Sequence, residues 1–71
     1  MEYIFHINVP YNEMMALYKG QAQRVVVVDR QGRKISLPAI KFQPYLSHRG
    51  VVGWFKLQTA ADGKFISLIP L

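Results

Sequence analysis

The stretch "VVGWFKLQTAADGKFISLI", Val51 to Ile69, decides the fold. Val51 to Thr59 reads as a strand, Asp62 and Gly63 supply a tight turn, and Phe65 to Ile69 returns as the second arm of a hairpin. The two-residue period of a strand puts Trp54, Lys56 and Gln58 on one face and Phe55, Leu57 and Thr59 on the other. Phe55 and Leu57 belong to the core, so Trp54 is left partly exposed among polar neighbours.

Working outward, Arg49 and Gly50 turn the chain into this hairpin. Before them "AIKFQPYLS", Ala39 to Ser47, has no clean period and carries Pro44, which predicts a short helical turn or an irregular crossover. "RVVVV", Arg24 to Val28, is β-branched and apolar on both faces and reads as a central strand covered on both sides. Through "DRQGR", Asp29 to Arg33, Gly32 can take a left-handed conformation. "KISLP" then returns as its partner strand, with Ile35 and Leu37 inward and Pro38 closing it at an edge. At the N-terminus Tyr3, Phe5, Ile7 and Val9 alternate with Glu2, Ile4, His6 and Asn8, a strand that Pro10 ends. "YNEMMALYKG" then places Met14, Leu17 and Tyr18 at helical spacing, with Asn12 as the cap, Glu13 in the first turn and Lys19 and Gly20 at the end.

This order predicts an α+β fold in a single domain, residues 1–71. About five short strands form a mainly antiparallel curved sheet or partly open barrel, with one short helix between the first and second strands. One helix cannot cover every apolar face of those strands. Residues of the hydrophobic class make up 51% of the 71, and a chain this short buries only about 60% of its unfolded surface. Some apolar surface therefore meets another copy of the chain, and a homodimer is expected.

The composition narrows the function classes. Without cysteine the chain has neither a disulfide framework nor a thiolate metal site, and a reducing compartment suits it. No apolar run is long enough to span a bilayer and no secretory signal opens the chain, so a cytoplasmic protein without a membrane partner is expected. The net charge of +5 suits anionic partners, or serves solubility alone.

Catalysis has little to work with. Asp29 and Asp62 each suit a turn, Glu13 suits the positive end of the helix and Glu2 sits at the terminus. His6 and His48 lack metal-ligand spacing, the serines lack a Gly-x-Ser-x-Gly elbow, and the glycines are too dispersed for a phosphate loop. No catalytic residue, metal ligand or cofactor is expected. An enzyme would require a site assembled between two subunits around His6, His48 or a turn aspartate.

"HRGVVGWFKL", His48 to Leu57, carries the one nucleic-acid hint. An RNA-recognition strand would begin as Arg49 and Gly50 do, but Val51 stands where its first stacking ring belongs. Trp54 could still stack a base, with Arg49, Lys56, Arg33 and Lys34 attracting phosphate in a salt-dependent manner, or it could pack at the core edge or a dimer interface.

The run of "YKG" (Tyr18 to Gly20), "VVVV", "LPA" (Leu37 to Ala39), "QPYLSHRGVVG" (Gln43 to Gly53) and the terminal "LIPL" resembles a family of short gammaproteobacterial proteins known as a domain of unknown function. The resemblance spans nearly the whole chain. It implies a small cytoplasmic bacterial protein with no assigned activity, cofactor or catalytic residue. The expectation is a non-enzymatic module that self-associates and binds a partner, protein or nucleic acid. The alternative is a single-stranded RNA-binding protein that uses a basic, aromatic sheet surface.

Overall fold

The computed structural model describes residues 1–20 and 23–71. The chain runs β1 (Glu2–Val9), α1 (Tyr11–Lys19), β2 (Arg24–Val28), β3 (Lys34–Pro38), a 3₁₀ helix (Ala39–Tyr45), β4 (Val51–Thr59) and β5 (Phe65–Pro70). Among the described residues, the α+β class, the five antiparallel strands and the single α-helix after the first strand agree with the sequence.

The sheet itself differs from expectation, because the strands are divided between two sheets. One has the order β1-β4-β5, and the other is a two-stranded ribbon of β2 and β3. Among the described residues one backbone hydrogen bond joins β1 to the turn after β2, from the Arg30 N–H to the Ile4 carbonyl at 2.8 Å. Next to it the Arg33 guanidinium donates to the Glu2 carbonyl and lies 4.3 Å from the centre of the Tyr3 ring. Side chain and turn thus occupy the edge of β1 on which a fourth strand would have paired, and the sheet does not close.

The four valines of β2 are also not covered on both sides. Val25 and Val27 are buried, whereas Val26 and Val28 are 65% and 53% exposed. A ribbon has one inward face, and α1 packs against the 3₁₀ helix rather than over the outside of β2.

The start of α1 corrects a further detail. Pro10 occupies the cap position, no side chain caps the helix, and Asn12 lies inside the first turn. A proline just ahead of a helix is compatible with the orphaned first-turn amides, since it has no N–H of its own to satisfy. Met14 is fully buried, with Leu17 and Tyr18 packed against the core, as the spacing predicts.

The 3₁₀ helix brings Ala39 and Phe42 inside. There the Phe5 and Phe55 rings stack at 6.1 Å, and Phe42 meets both edge-on, at 6.3 Å and 5.7 Å. Tyr45 closes the cluster, 5.2 Å from Phe55. Each ring contributes about 1.5–3 kcal/mol by burial, which makes this cluster the main cohesive element of a small chain. Gly50 has φ +99°, and a Cβ there would fall onto the Val9 carbonyl and the Pro10–Tyr11 peptide, so glycine is required where the turn enters β4.

Candidate functional site

Antiparallel register fixes the outward face of the three-stranded sheet. His6 stands opposite Trp54, Ile4 opposite Lys56, and Asn8 opposite Val52. On the other side of β4, Lys56 stands opposite Ile69. The burial pattern of β4 alternates as the sequence predicts, with Phe55, Leu57 and Thr59 in and Val52, Trp54 and Gln58 out.

Trp54 is the centre of this face, 48% exposed, its ring meeting that of His6 at 5.3 Å and 70°. The N–H of Leu71 donates to the Trp54 carbonyl at 2.9 Å, which sets Leu71 beside the indole. Ile4, Arg30, Trp54 and Leu71 line a shallow cleft of about 470 Å³. Val52 and Ile69 extend the apolar strip, and Lys56, on the central strand between Ile4 and Ile69, interrupts it and reaches Glu2 at 4.0 Å. The face therefore combines an aromatic centre, an aliphatic surround and one pair of opposite charges.

Trp54 and Lys56 share this face, but the other three sequence-predicted residues do not join them. Arg33 is held by Asp29, the Glu2 carbonyl and the Tyr3 ring. Lys34 lies on the ribbon, opposite Val28. Arg49 sits in the Ser47–Gly50 turn beyond the Val9–Val51 end of the sheet, with its N–H donated to the Ser47 hydroxyl at 3.2 Å. The residue that does stand beside Trp54 is Arg30, one of the basic residues at the turn ends but not among the five candidates. Its place depends on the Arg30–Ile4 bond between the two sheets, a tertiary contact with no local signal. Ile4 and His6 were within reach, because the alternation of β1 already turns them outward.

The most strongly held ionic group is Asp29, whose carboxylate accepts from the N–H of Gln31 at 3.0 Å, the N–H of Arg33 at 2.7 Å and the Arg33 Nε at 2.7 Å. Burial would raise its pKa, but these hydrogen bonds and the Arg33 charge together hold it below the ordinary carboxylate value. This is the turn-forming role its position suggested. His48 lies apart, lining a surface hollow with Tyr11, Leu46 and Ser47. Among the described residues no three His, Asp or Glu side chains converge as a metal site, and no helix is long and apolar enough to cross a membrane.

No curated protein and no solved structure matches the chain. All of it, residues 1–71, matches the family described as "Protein of unknown function (DUF2835)", and the chain belongs to that family.

Proposed function

We propose that the protein is a non-enzymatic cytoplasmic interaction module that forms a homodimer through the outward face of β1, β4 and β5 and acts by binding a further partner. The observation that carries this is the half-exposed Trp54 at the centre of an apolar strip on an uncovered sheet face. Tryptophan is a favoured interface anchor because it buries a large rigid area at little cost in entropy. A standard interface takes about 800 Å² from each partner, about a sixth of the 4808 Å² surface of this chain. Glu2 and Lys56 on this face are complementary to the same pair on a copy related by a two-fold axis.

The concentration dependence of mass by sedimentation equilibrium tests the dimer. The wild type is expected to dimerise with a blue shift in Trp54 emission, and Trp54→Glu is expected to stay monomeric and folded. A wild-type protein that remains monomeric at several hundred micromolar, with solvent-like emission, would exclude it.

The second reading, single-stranded RNA binding, is favoured by Arg30 beside Trp54, where one base could stack on the indole for about 1–3 kcal/mol while a phosphate meets the guanidinium. Titration of Trp54 fluorescence with a mixed-sequence single-stranded RNA separates the two. Quenching whose affinity falls steeply with salt supports RNA, and indifference supports the dimer.

A further inference from the structure

We propose that the cleft between Trp54 and Arg30 binds a small apolar carboxylate, with the apolar body on the indole and the carboxylate held by the guanidinium. This goes beyond the dimer and does not rest on it, although both use Trp54.

The cleft is built where the two sheets meet. On one side the Leu71 N–H bond to the Trp54 carbonyl sets Leu71 beside the indole. On the other, the Arg30 N–H bond to the Ile4 carbonyl at 2.8 Å carries the turn of the ribbon to the edge of β1. Of the four residues that line the resulting space of about 470 Å³, Ile4, Trp54 and Leu71 are apolar, and Arg30 alone carries a charged side chain. Sites for small molecules have this make-up, a mostly apolar wall with a few polar groups that orient the ligand, in about 300–1,000 Å³. The indole is half exposed, so apolar area remains for a ligand to cover.

Charge selects the head group. Arg30 stands at the junction of this cleft with an adjoining hollow of about 410 Å³, which Glu2, Asp29, Gln31 and Arg33 also line. The other charges there are paired: Asp29 with Arg33 at 2.7 Å, and Glu2 with Lys56 at 4.0 Å. Among the described residues no carboxylate side chain pairs with Arg30. An arginine fork meets a carboxylate through two parallel hydrogen bonds, and beside an apolar wall that attraction is less screened than in open water.

A polynucleotide fits this cleft less well, because it needs a line of cations along its phosphates. Arg33 is tied to Asp29 and to β1, Lys34 lies on the ribbon, Lys56 is shared with Glu2, and Arg49 sits beyond the Val9–Val51 end of the sheet. One cation beside an apolar wall matches a ligand with one anionic head. That chemistry occurs both in a free acid and in the C-terminal residue of a peptide.

The probes are 3-phenylpropionate and 3-phenylpropionamide, which keeps the apolar body and lacks the charge. Each is titrated into the ¹⁵N-labelled protein at a concentration where its mass is that of a monomer, since a second copy would compete for Trp54. The expected result is saturable shift changes centred on the Ile4, Arg30, Trp54 and Leu71 amides and the indole N–H. The acid should bind at least about tenfold more tightly than the amide, a difference of about 1.4 kcal/mol, and salt should narrow that preference. N-acetylphenylalanine stands for a peptide end, and whichever acid binds more tightly identifies the source. Arg30→Gln keeps the main-chain bond to Ile4 and is expected to abolish the preference while the affinity for the amide is unchanged. Should that variant fail to fold, the wild-type preference and shift map still decide. Equal binding of acid and amide, absence of saturable binding at millimolar acid, and shift changes confined to other parts of the chain would each overturn the proposal. So would an equal weakening of both probes by Arg30→Gln, or tighter binding of a mixed-sequence single-stranded RNA at the same amides.

Discussion

The two hairpins of this protein are similar in sequence character and share one apolar core, but they are fastened to the rest of the molecule differently. In β4–β5 the inward residues Phe55, Leu57 and Leu68 face a core of three aromatic rings, and β4 is paired along both edges. The β2–β3 ribbon has one paired edge, and two strands alone are marginal in water. Val25, Val27 and Leu37 enter the common core, and the ribbon gains a further anchor from the turn, where Asp29 binds its own loop and Arg33 ties that loop to Glu2 and Tyr3 of β1. Both hairpins thus enter one apolar core, and the ribbon alone is fastened in addition by a polar knot to the first sheet.

The comparison breaks most visibly at Phe55. Phe55→Ala is expected to cost about 3–5 kcal/mol. The whole stability of a chain of this length is only about 4–10 kcal/mol, so the cooperative urea transition should be severely weakened or lost. A loss of about 1 kcal/mol or less would show that the aromatic cluster does not dominate.

Two glycines sharpen the contrast. Gly50 and Gly32 both have positive φ, at +99° and +82°, but only Gly50 is pressed against backbone, and nothing lies within 4 Å of a Cβ at Gly32. Gly50→Ala should cost about 2–4 kcal/mol, combining strain with displacement of the Val9–Tyr11 segment. Gly32→Ala should cost about 1–2 kcal/mol from conformation alone. Equal shifts in the two denaturation midpoints would contradict the difference in packing.

The legibility of the sequence follows the same division. Alternation in β1 and β4 named the inward residues because a strand buried on one face writes its orientation at every second position. Turns were legible where the chemistry is local, as at Asp29, Gly32, Asp62 and Gly63. The division into two sheets was not, since it depends on Arg33 and Arg30 reaching carbonyls of β1 roughly thirty residues away in the chain. The same distance hid Arg30 from the predicted binding residues and made Arg33 look free. "VVVV" misled for a physical reason: β-branched residues are chosen both for burial and for extended backbone, and composition alone does not separate the two.

The polar knot can be tested through its pH dependence. Because the folded pKa of Asp29 is lowered, the stability it lends is present above the unfolded carboxylate value of about 3.9 and is lost as pH falls through the lower folded value. Asp29→Asn is therefore expected to destabilise the protein and to speed amide exchange at Gln31 and Arg33 at pH 7. Its difference from wild type should narrow in the acid range. A difference that stays constant from pH 7 to pH 3 would mean that the charge of Asp29 is not what holds the turn.

The smallest effect is the most local. Tyr45→Phe keeps the ring that packs on Phe55 and removes only the hydroxyl that donates to the Leu68 carbonyl at 2.6 Å. The expected loss is about 0.5–1.5 kcal/mol, the ordinary net value of one hydrogen bond. The Leu68 carbonyl faces away from β4, so the β4–β5 ladder survives, and faster amide exchange should be confined to β5 and the end of the 3₁₀ helix. Faster exchange reaching β1 would instead mean that the hydroxyl supports the whole core. In that case the apolar hairpin also depends on a polar fastening, and the distinction between the two hairpins would be one of degree.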